Sequence, residues 1–113
     1  MENGKRYRVE ISRRAAAMLV SHASFLASVS PEAAEQLTEQ FTKQFTEQFT
    51  KAAESLEYMP ERCAWLNGEM LPENRYRKLL FGKRYLMIFT VDSDTVYVAY
   101  VVDCRQDYGW LIR

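Results

Sequence analysis

The sequence is poor in the residues that metal sites, phosphate loops and disulfide frameworks require. It holds two cysteines (Cys63 and Cys104), one histidine (His22) and four scattered glycines in 113 residues. Two cysteines so far apart, with no companion histidines, suggest neither a disulfide framework nor a zinc site. A lone histidine leaves a serine-hydrolase triad without a credible base, and no glycine-rich loop is present to cradle a phosphate. No uncharged apolar run approaches the length of a membrane span. The polar opening Met1–Arg8 lacks the pattern of a secretory leader, so a reduced, cytoplasmic protein without metal or cofactor is expected. Net charge is missing as well, since fifteen basic residues balance fifteen acidic ones. Nucleic-acid-binding domains are usually strongly basic, so any polyanion contact has to come from a local patch.

What is present suits one domain spanning residues 1–113. Hydrophobic residues make up 48% and aromatics 13%, which excludes a disordered chain. A chain of this length buries roughly two-thirds of its unfolded surface, enough for one self-sufficient core. The charge is unevenly spread. Residues 1–30 carry five basic and two acidic side chains, residues 31–61 two and seven, and residues 62–113 eight and six.

Tyr7, Val9 and Ile11 alternate with charged neighbours and predict a strand over 6–11. Ser12 offers a cap, and Met18, His22, Phe25, Leu26 and Val29 form the apolar stripe of a helix over 15–29. Ser30-Pro31-Glu32 restarts a helix with a hydroxyl, a proline at the first position and a carboxylate in the first turn. That second helix is predicted to end near Tyr58, before Pro60, and to pack antiparallel on the first. Residues 59–74 read as an irregular connection tacked down by Trp65, Leu66, Met70 and Leu71. Strands follow over 75–81, 84–91 and 95–102, with turns at Gly82-Lys83 and Asp92–Asp94. The expected class is α+β: an N-terminal strand, a helix hairpin and a three-stranded antiparallel meander, in the order β-α-α-β-β-β.

Inside the second helix, Thr38-Glu39-Gln40-Phe41, Thr42-Lys43-Gln44-Phe45 and Thr46-Glu47-Gln48-Phe49 form a tandem tetrad. Four residues turn a helix by about 400°, so Phe41, Phe45 and Phe49 make a slowly drifting stripe. It serves either as an apolar ridge for a partner helix or as a duplicated stretch that extends the core, and the second is preferred.

The remaining chemistry is a basic and aromatic cluster: Arg75, Tyr76, Arg77, Lys78, Lys83, Arg84, Tyr85, Arg105 and Tyr108. Alternation places Arg75 and Arg77 on one face of a strand and Tyr76 and Lys78 on the other. Such residues can bind phosphate or stack on unpaired bases. They can equally be solvent-facing charges that keep a sheet edge from aggregating. Asp103 or Asp107 is a ready ion-pair partner for Arg105.

Tyr7–Ser12, Arg14-Ala15-Ala16, Ser30–Ala34, Met59–Arg62, Tyr76–Leu79, Gly82–Tyr85 and Val101–Tyr108 occur in an order and spacing that resemble the RelE/ParE superfamily. These are bacterial toxins of type II toxin–antitoxin modules, among them plasmid stabilisation proteins, and the resemblance covers nearly the whole chain. It implies a growth inhibitor neutralised by a cognate antitoxin in a toxin–antitoxin hetero-oligomer. Its target would be DNA gyrase in the ParE branch. The alternative is a RelE-like, ribosome-dependent mRNA endoribonuclease. A non-toxic binding module is a further reading.

As a nuclease, Lys78, Arg84 and Arg105 would clamp the scissile phosphate and Tyr108 would activate the 2′-hydroxyl, with Arg75 and Arg77 contacting the target. Antitoxin contacts would fall on Leu26, Phe41, Phe45 and Phe49. The sequence departs from the nuclease pattern: Leu86 follows Tyr85 where an arginine is common, Leu111 stands at a usual tyrosine position, and Cys104 stands where some members have histidine. The repeat also lengthens the second helix by about eight residues, a phase shift of about 80°.

Overall fold

Alternating residues at Tyr7, Val9 and Ile11 become strand β1 (Arg8–Ile11) in the computed structural model, which describes residues 5–28, 35–68 and 71–105. Ser12 caps the next element, its Oγ accepting from the Ala15 N–H at 2.9 Å, and helix α1 runs over Arg13–Ser28. Helix α2 spans Glu35–Ser55. The predicted restart at Ser30–Glu32 lies outside the described residues. α2 ends three residues before Tyr58 because the chain tightens: Leu56 N donates to Ala53 O and Glu57 N to Glu54 O, each at 3.0 Å. Arg62 seals that end, its Nη1 donating to the carbonyls of Tyr58 (2.9 Å), Met59 (3.2 Å) and Ser55 (3.3 Å).

The connection over 59–74 is more ordered than its composition predicts. It contains a 3-10 turn at Pro60–Arg62 and a short strand β2 (Trp65–Leu66). Two residues carry no readable period, and β2 exists because Trp65 and Leu66 pair with Arg77 and Tyr76. The three later strands fall where alternation predicts them: β3 (Tyr76–Phe81), β4 (Tyr85–Asp92) and β5 (Thr95–Asp103). The β3–β4 turn has φ +58° at Gly82 and +72° at Lys83. Glycine adopts that conformation freely, whereas a side chain there costs about 1–2 kcal/mol.

The five strands form one sheet in the order β1-β5-β4-β3-β2. β1 joins parallel to β5 and all other pairs are antiparallel, so the sheet is mixed and the helix pair is its crossover. Phe89 pairs with Val98 but Ile88 with Tyr100, leaving Ala99 as an extra residue. This bulge inverts the alternation of β5. Val96, Val98 and Val101 therefore share the helix-side core, while Tyr100 and Val102 join Tyr76, Leu86 and Ile88 on the other face.

Past Val98, β5 has no β1 partner, and α1 covers the open edge instead. Ser12 N donates to Val98 O at 2.9 Å, Ser12 Oγ to Ala99 O at 3.2 Å, and His22 Nε2 to Val101 O at 3.0 Å. The lone histidine is thus a structural cap on a strand edge. Its ring also lies 5.2 Å from that of Tyr85.

Candidate functional site

The antiparallel pairing of β4 and β5 brings two of the expected arginines together. Tyr85, the first residue of β4, pairs with Asp103, the last of β5, and Cys104 N donates to Arg84 O at 2.8 Å. Arg84 and Arg105 therefore flank the same end of the sheet. Arg105 folds back onto Asp103: Nε donates to Oδ1 at 3.1 Å, Nη2 to Oδ2 at 2.8 Å, and the backbone N to Oδ1 at 2.9 Å. The Asp103 side chain is 6% exposed and that of Arg105 56% exposed. The Arg105 hydrogen bonds hold the Asp103 carboxyl below its ordinary range, and the same contact raises the guanidinium of Arg105. A phosphate reaching Arg105 has to compete with this buried carboxylate.

Three other expected residues come from β3 and the position just before it. Lys78 pairs with Ile88 in mid-strand and is exposed on the face away from the helices, whereas Tyr85 is in the helix-side core. Arg75 precedes β3, its guanidinium 5.5 Å from the Tyr76 ring centroid. Arg77 is bound internally: Nη1 donates to Cys63 O at 2.7 Å and Glu61 O at 3.1 Å, and the guanidinium lies 3.8 Å from the Trp65 ring centroid. These bonds make Arg77 a clasp between the chain before β2 and β3 rather than a free cation for a target. Tyr108 lies outside the described residues.

Two of the four residues expected to contact an antitoxin are buried in the chain itself. Phe45 and Phe49 are 4% and 5% exposed. The Phe45 ring lies 4.8 Å from Tyr85 and 5.7 Å from Phe81, and Phe49 lies 5.6 Å from Phe81. The repeat's phenylalanines at these two positions extend the core and present no ridge. The side chains of Leu26 and Phe41 lie outside the description.

Two surface clefts flank this aromatic block. One, of about 340 Å³, lies between α2 and the β3–β4 turn and is lined by Gln44, Phe45, Gln48, Gly82, Lys83, Arg84 and Tyr85. Among the described residues that line it, none is acidic. Lys83 and Arg84 belong to the basic and aromatic cluster read from the sequence, whereas Gln44 and Gln48 were not singled out, although the repeat places a glutamine just before each phenylalanine. The other cleft, of about 220 Å³, lies between β1 and α2 over Val9, Ile11, Phe49 and Ala53, with Glu54 and Glu57 beside it.

Among the described residues no group of three His, Cys, Asp or Glu side chains could hold a metal ion. Burial pushes the Cys63 thiol up, and burial together with neighbouring Tyr100 pushes the Tyr76 phenol up, so neither is activated as a nucleophile or base. Cys104 is exposed and Cys63 buried, and both are free thiols. No helix among the described residues is long and apolar enough to cross a membrane.

The comparisons with known proteins bear on the family. No curated protein sequence matches the chain. A solved structure described as the chromosomal ParDE TA system from P. aeruginosa contains a chain similar in fold, with a TM-score of 0.65 at 14% identity, covering 88% of this chain and 98% of that one. The family model for the ParE toxin of the type II toxin–antitoxin system, parDE, matches residues 9–108. With that match spanning most of its length, the chain belongs to the ParE toxin family of type II toxin–antitoxin systems.

Proposed function

We infer that this ParE-family chain inhibits growth by binding a protein target, with DNA gyrase as first choice, and that a cognate antitoxin neutralises it. The observation that carries this reading is the Arg105–Asp103 pair. The tail arginine on which a nuclease mechanism depends is already matched to a buried carboxylate. Lys78 stands on the other face from Tyr85, and His22 is bonded to a strand edge. A binding mechanism requires none of these groups as acid, base or phosphate clamp.

The cleft between β1 and α2 is the natural antitoxin seat, since it joins an apolar floor to the outer edge of β1. Ile11, 43% exposed, sits at its rim. On this reading the antitoxin binds beside Phe49 and Ala53 rather than along a ridge of phenylalanines.

The ribosome-dependent nuclease is the second reading, favoured by the meeting of Arg84 and Arg105 at one end of the sheet. The test is a supercoiling assay with purified gyrase and the purified chain. The proposed reading predicts inhibition that is relieved by the antitoxin encoded beside this chain, and unaltered supercoiling at saturating chain contradicts it.

A further inference from the structure

We propose that the cleft between α2 and the β3–β4 turn binds an extended acidic segment of a protein partner. The inference rests on the reading of this chain as a partner-binding toxin and assigns that partner's chemistry.

Gln44 and Gln48 stand one tetrad apart on α2, both exposed, and their side-chain amides make no hydrogen bond to other described residues. Four residues along a helix rise about 6 Å. Two residues along an extended chain advance about 6.7 Å. The two amides therefore match successive peptide groups on one side of an extended segment, and each can donate to a carbonyl and accept from an N–H. Lys83 and Arg84 line the same cleft and supply the donors that carboxylates seek. Phe45 and Tyr85 form a rigid floor.

Gly82 belongs to the same arrangement. A Cβ there would stand 3.0 Å from Gln48 Oε1, so the absence of a side chain lets Gln48 lie against the turn. A polynucleotide needs an extended basic track, whereas Lys83 and Arg84 are adjacent and are the two cations among the described residues that line the cleft. The tetrad repeat thus has two outputs from one period: Phe45 and Phe49 fill the core, and Gln44 and Gln48 face the partner.

The test is a titration of the ¹⁵N-labelled full chain with a peptide of five Glu-Thr repeats, which presents carboxylates on one side of an extended strand. A peptide of five Lys-Thr repeats and a single-stranded ten-nucleotide RNA run beside it. The expected result is movement of the Gln44 and Gln48 side-chain amide signals and of the Gly82–Arg84 backbone signals with the acidic peptide alone. Affinity should fall at least fivefold in a Gln44→Ala, Gln48→Ala double variant and at least tenfold in Lys83→Glu. Dispersed spectra of both variants show that the fold is kept. No binding, signals moving elsewhere, an undiminished affinity in the variants, or equal binding of the RNA at these positions each overturns the proposal. Growth arrest on induction reads the toxin separately, so loss of arrest with an intact titration indicts the functional reading alone.

Discussion

Arg105 grips Asp103 from two residues away, placing two guanidinium nitrogens on the two carboxylate oxygens at 3.1 and 2.8 Å. A planar cation matched to a planar anion in this manner fixes the end of β5 and the direction in which the chain leaves the sheet.

The pair has a pH signature. The folded Asp103 carboxyl titrates below its unfolded value, so its contribution to stability is present above the ordinary carboxylate range and fades as pH falls through the lowered value. Urea unfolding between neutral pH and pH 3 should show Asp103→Asn losing less stability on acidification than the wild type. Parallel acid slopes in the two proteins would contradict the pairing.

The repeat makes a second prediction possible. Phe45→Ala should cost about 3–5 kcal/mol, the usual loss for a buried phenylalanine. Deleting residues 42–45 removes the same phenylalanine but moves Phe41 into its place beside Phe81 and Tyr85, because the tetrads are nearly identical. Chemical denaturation should find the four-residue deletion less damaging than the single substitution. The reverse order would mean that the register of α2, not its phenylalanine stripe, holds the core.

Gly82→Ala combines a positive φ with the close approach of Gln48. It should destabilise by about 1–2 kcal/mol from the backbone conformation alone. The Gly82→Ala, Gln48→Ala double variant should recover whatever the contact adds. A thermal melt of the single variant that overlays the wild type would show that the turn does not require glycine.

Arg77→Ala breaks two hydrogen bonds to the carbonyls of Glu61 and Cys63 and uncovers the Trp65 ring. The expected loss is about 1–3 kcal/mol, with a red shift of tryptophan emission read in a Trp110→Phe background. Unchanged emission would leave Arg77 a solvent-facing charge.

Much of this architecture was legible in the sequence because it rests on period and punctuation. The alternation of β3, β4 and β5, the Ser12 cap and the turn at Gly82 each have a local signature, and the structure places them accordingly. What escaped is set by pairing at a distance. β2 is two residues held by partners across the sheet, and the bulge at Ala99 changes which valines face the helices without leaving a mark in composition. The parallel seat of β1 depends on the crossover of both helices.

The site divides in the same way. Arg84 and Arg105 stand out in the sequence as part of the basic and aromatic cluster, the resemblance supplies their expected role, and the structure brings them together through the β4–β5 register. The Asp103 partner of Arg105 was one of two candidates in the sequence, and burial of Asp103 at the strand end selects it. The amide face of the repeat is hidden in the sequence behind the stronger period of its phenylalanines. Glutamines carry no hydrophobic period of their own.

The most direct test of the central claim is a genome-wide map of new RNA 5′ ends in a bacterial host minutes after induction of this chain, with Arg105→Ala beside it. Growth arrest without new ends is the predicted result, since the arginine is committed to Asp103 and the proposed inhibitor works by binding. Abundant new ends inside translated messages, lost in Arg105→Ala, would establish the nuclease and contradict the account.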